Sequence, residues 1–308
     1  MTAVKSELFL YLREAKRPLV VILGPTASGK TVASLDLAES IRKNTGRSVE
    51  IVNADSRQMY RFLDIGTAKI QPDEMRGIPH HLLDVLDPKQ EITAGEYQAM
   101  ACRAIDEILQ REAVPVLVGG SMLYLSAVID NLSFAGTSDT ALRAKLKTEY
   151  DTDEGTTLYA RLSGIDPDTA AAFHPRNKTY LIRALEILES TGRKPSEIKE
   201  SSASKYNLFI IGITRSRAGL VERINERTKK MFADGWIGEV RSLIDRGYGP
   251  HDPGMKSHGY REIMAYLRDR IPKNASELIE VIAANTRQYA KRQVTWWRRD
   301  ERIRWVSL

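Results

Sequence analysis

The segment Gly24-Pro25-Thr26-Ala27-Ser28-Gly29-Lys30-Thr31 fits the spacing G-x-x-x-x-G-K-[ST]. That spacing does one kind of chemistry, the grip on a polyphosphate. Its glycines let successive backbone N–H groups close on phosphate oxygens, and the start of a following helix adds partial positive charge. Thr26, Ala27 and Ser28 lie within that cradle, Lys30 supplies a point charge, and the Thr31 hydroxyl is suited to hold Mg²⁺. The motif specifies a polyphosphate without specifying ATP. A second group with chemical potential is Asp55, in Asn53-Ala54-Asp55-Ser56, directly after the apolar run Val49-Glu50-Ile51-Val52. In an open α/β sheet such a position faces the phosphate loop across the C-terminal edge, where ligands bind. A carboxylate there suits general-base work on a nucleophile aimed at a phosphorylated substrate; its bland alternative is a turn or helix cap. Motor and switch NTPases end a further strand in an acid that orders Mg²⁺ and water, but here Val114-Pro115-Val116-Leu117-Val118 runs into Gly119-Gly120. These residues point to group transfer, either of a phosphoryl group or from a carbon bearing a diphosphate.

Such groups need a sheet to position them. Leu19–Leu23, Val49–Val52, Val114–Val118 and Leu208–Ile213 are nearly continuous apolar runs, as buried parallel strands tend to be. Ile303–Ser307 is a further candidate strand. Longer helical patterns alternate with them, which predicts an α/β fold with a P-loop NTPase-like parallel sheet flanked by helices. From Val118 to Leu208 no strand pattern stands out, and Asp166-Pro167 and His174-Pro175 punctuate helical stretches. The expected organisation is a catalytic core of 1–130 and 204–308 interrupted by a helical insertion, 131–203. The 308 residues are 42 % apolar and 28 % charged with a net charge of +6, an ordinary composition for a soluble globular chain. No apolar run approaches the roughly 20 residues that cross a bilayer. Lys5, Glu7, Arg13, Glu14, Lys16 and Arg17 make the opening segment unlike a signal peptide. The lone Cys102 excludes an internal disulfide framework and a zinc site built on several thiolates. A cytoplasmic, membrane-free monomer is the expectation. The basic excess is uneven: Arg287 to Arg304 holds seven Lys/Arg and two acids, with Trp296 and Trp297 among them. Bases interleaved with aromatics suit phosphate contact and base stacking, although at least one of the two tryptophans reads as a core residue of an amphipathic helix.

The order of further motifs resembles the tRNA dimethylallyltransferases, also called tRNA isopentenyltransferases. After Gly24–Thr31 come Asp55-Ser56-Arg57-Gln58-Met59-Tyr60, Asp64-Ile65-Gly66-Thr67-Ala68-Lys69 and His80-His81-Leu82-Leu83-Asp84. Then follow Gly119-Gly120-Ser121-Met122-Leu123-Tyr124, Arg183-Ala184-Leu185-Glu186, Gly259-Tyr260-Arg261-Glu262 and Thr286-Arg287-Gln288-Tyr289-Ala290-Lys291-Arg292-Gln293. The likeness runs from residue 19 to about 299.

The resemblance implies alkyl transfer, in which a dimethylallyl group moves from its diphosphate to the exocyclic N6 of an adenine beside the tRNA anticodon. It implies that Asp55 accepts the amine proton, that the Ser121 hydroxyl bonds the diphosphate, and that Arg223, with Arg227 a turn later, lies near it. Mg²⁺ on Thr31 and dimethylallyl diphosphate are the implied cofactor and donor. It also implies tRNA contacts by Asp55, Ser56, Arg57, Gln58 and Ser121, by Lys256, Gly259, Tyr260 and Arg261, and by Lys291, Arg292, Gln293, Trp296, Trp297 and Arg298. In the insertion, expected to grip the anticodon arm, the positions are Arg143, Thr179 and Arg183. The chain departs from the pattern in Ser121 for the usual Thr, Ile70 where Pro is common and Tyr180 where Arg is usual. With one cysteine, a bacterial-type member without the eukaryotic zinc finger is expected, and His80 and His81 read as structural. Competing readings are an adenylate isopentenyltransferase acting on free nucleotide, a small-molecule P-loop kinase, and a non-catalytic RNA-binding module.

Overall fold

The computed structural model describes residues 2–134, 139–198 and 203–308. The chain begins with α1 (Thr2–Glu14), β1 (Pro18–Leu23), α2 (Lys30–Thr45), β2 (Val49–Ala54) and β3 (His80–His81). Next come α3 (Ala94–Gln110), β4 (Val114–Gly119) and α4 (Met122–Ile129), then α5 (Thr140–Asp153), α6 (Thr156–Ile165), α7 (Pro167–Ala171) and α8 (Lys178–Thr191). The last part holds β5 (Asn207–Thr214), α9 (Arg217–Ala233), α10 (Trp236–Asp245), α11 (Tyr260–Asp269), α12 (Ala275–Trp297) and β6 (Ile303–Ser307). Two compact units result: Met1–Ile129 with Ser204–Leu308, and Asp130–Ala203.

In the first unit six strands form one sheet in the order β3-β2-β4-β1-β5-β6, and every pairing is parallel. Successive side chains on a strand point to opposite faces, and β1 shows the consequence. Leu19, Val21 and Leu23 join a core with α3, α4 and α10 to α12, while Val20 and Ile22 pack with α1 and α2. Burial on both faces explains why these strands read as unbroken apolar runs. Because β2, β4 and β1 are neighbours and parallel, residues 24–31, 53–58 and 119–121 emerge at the same edge. β3 was not apparent from sequence: it is two residues long, an edge strand pairing Ile51 with His80 and Val52 with His81. His81 Nε2 lies 2.6 Å from Glu50 Oε2, to which Arg111 also donates at 2.9 Å. Among the described residues no helix is long and apolar enough to cross a membrane.

The second unit has its own core, with Leu146, Leu158, Leu162, Leu181 and Leu185 fully buried. Its helices are delimited by caps. The Asp139 side chain accepts from Ala141 N and Leu142 N at the start of α5, Asp166 from Thr169 N at α7, and Asn177 from Tyr180 N at α8. A side-chain acceptor at such a position satisfies an amide that the helix leaves unpaired.

Gly119 of β4 pairs with Ala54 of β2. A Cβ there would sit 2.1 Å from Ala54 O and 2.3 Å from Ala54 C, which is backbone and cannot swing aside. Gly119→Ala is expected to destabilise the protein by about 1–3 kcal/mol, in the range of overpacked cores. It should also weaken diphosphate binding, because Gly119 and Gly120 line the phosphate-loop cavity and Gln293 ties Gly120 O to Thr26 N. Urea unfolding and a pyrophosphate titration check both.

Candidate active site

The phosphate loop leaves β1 and enters α2 through Gly29, whose φ of 99° is left-handed and costs glycine little. Lys30 folds back, its Nζ donating to Pro25 O at 2.8 Å. Four side chains from distant sequence fasten the loop. Arg223 Nε donates to Ala27 O at 3.1 Å, Arg227 Nη2 to Thr26 Oγ1 at 2.6 Å and Arg215 Nε to Ser28 O at 3.0 Å. Gln293 Oε1 accepts from Thr26 N at 2.8 Å while its Nε2 donates to Gly120 O at 2.7 Å. Arg223 and Arg227 come from adjacent turns of α9, so one helix face presents both guanidinium groups to the loop.

Thr26, Ala27, Lys30, Arg223, Arg227 and Gln293 wall a cavity of about 500 Å³, lined also by Thr31, Asn53, Asp55, Gln58, Thr67 and Tyr289. Its electrostatics are set by desolvated cations. Burial lowers the Lys30 ammonium to about 8, with Asp55 favouring the charged form and Arg227 opposing it. Burial likewise holds Arg227 below its usual value, again against Asp55. The Ser28 hydroxyl is buried with no hydrogen-bond partner. A cavity walled by Lys30, Arg223 and Arg227 at a helix N-terminus is suited to an anion. No group of three or more His, Cys, Asp or Glu suited to a metal occurs among the described residues.

A second cavity of about 170 Å³ adjoins the first and shares Thr26, Asp55, Thr67, Arg227 and Tyr289 with it. Ser56, Arg57, Gly66, Trp236, Lys256 and His258 line its remainder. Asp55 therefore stands at the junction. Its backbone is fixed by the Asn53 side chain, whose Oδ1 accepts from Asp55 N and whose Nδ2 donates to Asp55 O, both at 3.0 Å. Asp55 Oδ1 accepts from Arg57 N at 2.9 Å. Tyr289, at the same junction, is raised to about 12 by burial and by Asp55, so it stays a neutral phenol. His258 sits over Tyr289 with ring centroids 5.4 Å apart.

The residues assigned from sequence fall into three groups. Thr26, Ala27, Gly29, Lys30, Thr31, Asp55, Gln58 and Arg223 converge on the first cavity, which Gly24 and the buried Ser28 do not line, while Ser56, Arg57 and Lys256 line the second. Arg261, Lys291, Arg292, Trp296 and Arg298 are exposed; Arg292 lies over the Tyr289 ring, 5.8 Å from its centroid. Four residues depart from the expected contacts. The Ser121 hydroxyl accepts from Ser56 N at 2.8 Å and donates to Ser56 Oγ at 3.1 Å, so it braces the turn after Asp55. Tyr260 and Trp297 are core side chains, 0 % and 3 % exposed, and Gln293, 2 % exposed, spends its amide on backbone. In the second unit Arg143 and Arg183 meet at one buried carboxylate: Glu186 Oε2 accepts from them at 2.8 and 2.9 Å. Thr179 is exposed in the first turn of α8. Sequence reasoning missed Arg215, Trp236, Glu239, His258 and Tyr289 as site residues; Tyr289 lay inside a quoted motif, but nothing in its spacing marks a wall between two cavities.

A phosphate loop at the C-terminal end of a central parallel strand, with an acid directly after β2, two strands away, and a second cavity beyond it, defines an α/β P-loop-type group transferase. The chain belongs to the IPP transferase family, whose model matches residues 58–300. It is 43 % identical over 296 residues to the tRNA dimethylallyltransferase of Symbiobacterium thermophilum, covering 95 % of this chain and 90 % of that one. It is 37 % identical over 300 residues to the Bacillus subtilis tRNA dimethylallyltransferase, covering 96 % and 93 %. The solved full-length tRNA isopentenylpyrophosphate transferase of Bacillus halodurans superposes with a TM-score of 0.69 at 39 % identity, covering 95 % of this chain and 90 % of that one. A eukaryotic dimethylallyltransferase solved acting on tRNA gives 0.80 at 26 % identity, covering 95 % and 74 %. The family and fold expected from the motifs are borne out.

The lowered Lys30 value has a measurable sign. As pH rises through about 8 the free protein loses that charge, whereas bound diphosphate favours the ammonium, so binding must take up a proton there. Pyrophosphate affinity should fall between about pH 7 and pH 9 more steeply in the native protein than in Lys30→Arg, whose guanidinium stays charged. Calorimetric titrations with identical slopes in both proteins would show that Lys30 is not the titrating group.

Proposed function

We propose that this protein transfers a dimethylallyl group from dimethylallyl diphosphate to N6 of the adenine next to the anticodon in tRNA, releasing pyrophosphate. The observation that carries the reading is Asp55 at the junction of the phosphate-loop cavity and a second recess walled in part by Gly66, Trp236 and His258. The donor's diphosphate fits the first cavity and the acceptor base the second. As the carbon–oxygen bond breaks, the loop amides, Lys30, Arg223 and Arg227 stabilise charge gathering on the leaving group. The allylic carbon takes partial cation character and N6 attacks it, with Asp55 Oδ accepting the amine proton. The Thr31 hydroxyl lines the cavity and the Ser28 hydroxyl has no partner. A hydroxyl plus substrate phosphates and water is a donor set that suits Mg²⁺, which when bound offsets diphosphate charge.

An adenine in an anticodon loop must leave its stack, at a cost of a few kcal/mol that pocket and backbone contacts offset. Arg57, Lys256, Arg261, Lys291, Arg292 and Arg298 are suited to those phosphates and Trp296, 48 % exposed, to stacking. Arg143, Thr179 and Arg183 of the helical unit are assigned to the anticodon arm, with Glu186 holding the two guanidinium groups side by side. A cytoplasmic monomer completes the reading.

The protein incubated with radiolabelled dimethylallyl diphosphate is expected to label tRNA; label in AMP but not tRNA would establish the free-nucleotide chemistry instead. Asp55→Ala should lower kcat by about 10²–10⁴-fold, the span of general-base contributions, while diphosphate still binds. Unchanged kcat removes Asp55 as the base. Replacing both Lys291 and Arg292 with alanine should weaken tRNA binding. It should also flatten the salt dependence by about one unit of slope for each phosphate no longer neutralised, read by filter binding across a salt series.

A further inference from the structure

Glu239 lies on α10, outside the motifs that carry the family resemblance. Its carboxylate accepts from three consecutive backbone amides: Oε2 from Asp64 N at 3.0 Å and Ile65 N at 2.7 Å, and Oε1 from Gly66 N at 3.4 Å. Oε1 also accepts from the Tyr260 hydroxyl at 2.6 Å. Successive amides turned towards one point form an anion nest, and here the protein fills that nest with its own carboxylate. Burial and the nearby Glu239 hold the Tyr260 phenol well above its usual value, so it remains a donor throughout the working pH range. One turn earlier, Trp236 covers the same two segments. A Cβ on Gly66 would come within 2.1 Å of its indole, and one on Gly259 within 2.0 Å.

The far side of the 64–68 loop is held independently, with Gln58 Nε2 donating to Thr67 O at 3.1 Å and Ala68 O at 3.2 Å. Gly66 and Thr67 form one wall of the second cavity, and Lys256 to His258 form another. Through Glu239 the first wall is bonded directly to α10, and through Tyr260 the second is bonded to the same carboxylate.

We infer that Glu239 is a positioning residue that sets the spacing of the acceptor cavity's two walls beside Asp55. The inference rests on the reading of that cavity as the acceptor site. The phosphate loop takes no hydrogen bond from Glu239, so the effect of disturbing it should fall on the acceptor and spare the donor.

Glu239→Gln keeps the shape, removes the charge and turns an NH₂ towards amides that are themselves donors. With the full chain, kcat and KM for tRNA and Kd for dimethylallyl diphosphate are measured well below the melting temperature. The expected result is a fall of about tenfold or more in kcat/KM for tRNA, with donor Kd nearly unchanged. Tyr260→Phe, which removes one of the four hydrogen bonds, should shift kcat/KM in the same direction by less, and it decides the matter if Glu239→Gln does not fold. Val240→Ala, a neighbouring core position on α10 that is fully buried, lowers the melting temperature while removing no hydrogen bond from either wall and should leave kcat/KM for tRNA intact. Donor Kd rising in step with the tRNA effect, or Val240→Ala matching Glu239→Gln, would overturn the assignment as mere stability. Native protein that labels no RNA would instead overturn the acceptor reading beneath it, and the assignment with it.

Discussion

Lys30 and Arg227 are half-buried cations at the wall of one cavity, and the rest of the site follows from the cost of keeping them there. Desolvation disfavours both charges, and a buried cation persists only if dipoles and counter-charges compensate it. Pro25 O serves Lys30 and Thr26 Oγ1 serves Arg227, while Asp55 favours the charged form of each. That compensation is incomplete, since Asp55 also accepts from Arg57 N and faces the second cavity. In the proposed reaction a diphosphate would supply the missing negative charge, so part of its binding free energy would come from relieving the cost of those buried charges in the free protein.

The same constraint explains why the loop is fastened from the far end of the chain. A polyphosphate cradle built of glycines has high conformational freedom of its own. Arg215, Arg223, Arg227 and Gln293 remove it with hydrogen bonds to residues 26–28. These side chains lie on or beside α9 and α12, which pack on each other. The phosphate loop and C-terminal helices therefore form a single structural object, which is why the core must be completed by sequence that follows the helical unit.

Helix α12 divides its work by face. Leu278, Ile282, Ala290, Gln293 and Trp297 are buried, whereas Lys291, Arg292 and Trp296 face outwards. The helical period of 3.6 residues places Gln293 against the phosphate loop and its neighbours Lys291 and Arg292 in solvent. In the proposed reaction this puts RNA contact and alignment of the donor loop on opposite sides of one rigid element. The second unit uses a related device. Glu186, with no exposed surface, has its carboxylate pulled below the usual range by Arg143 and Arg183 despite burial, and in return fixes where both guanidinium groups point.

Much of this was legible in the sequence. Local spacing alone determines the phosphate loop, because the grip on phosphate is made by consecutive amides; the strands β1, β2, β4 and β5 declare themselves because burial on two faces demands nearly unbroken apolar runs, while the edge strand β6, buried only at Ile303 and Val306, shows itself more weakly. The motifs that carry the family likeness were equally readable, being contiguous. β3 escaped because two residues carry no period, and the dual character of Trp296 and Trp297 could not be separated by composition, since adjacent helical residues face different surroundings. What tertiary structure decided was where side chains are spent. Ser121 turns to Ser56, Gln293 to two backbone groups and Tyr260 to Glu239, contacts that span between 21 and 267 positions. A sequence states which donors and acceptors a chain owns; only the fold brings together residues that far apart and so chooses the partner of each.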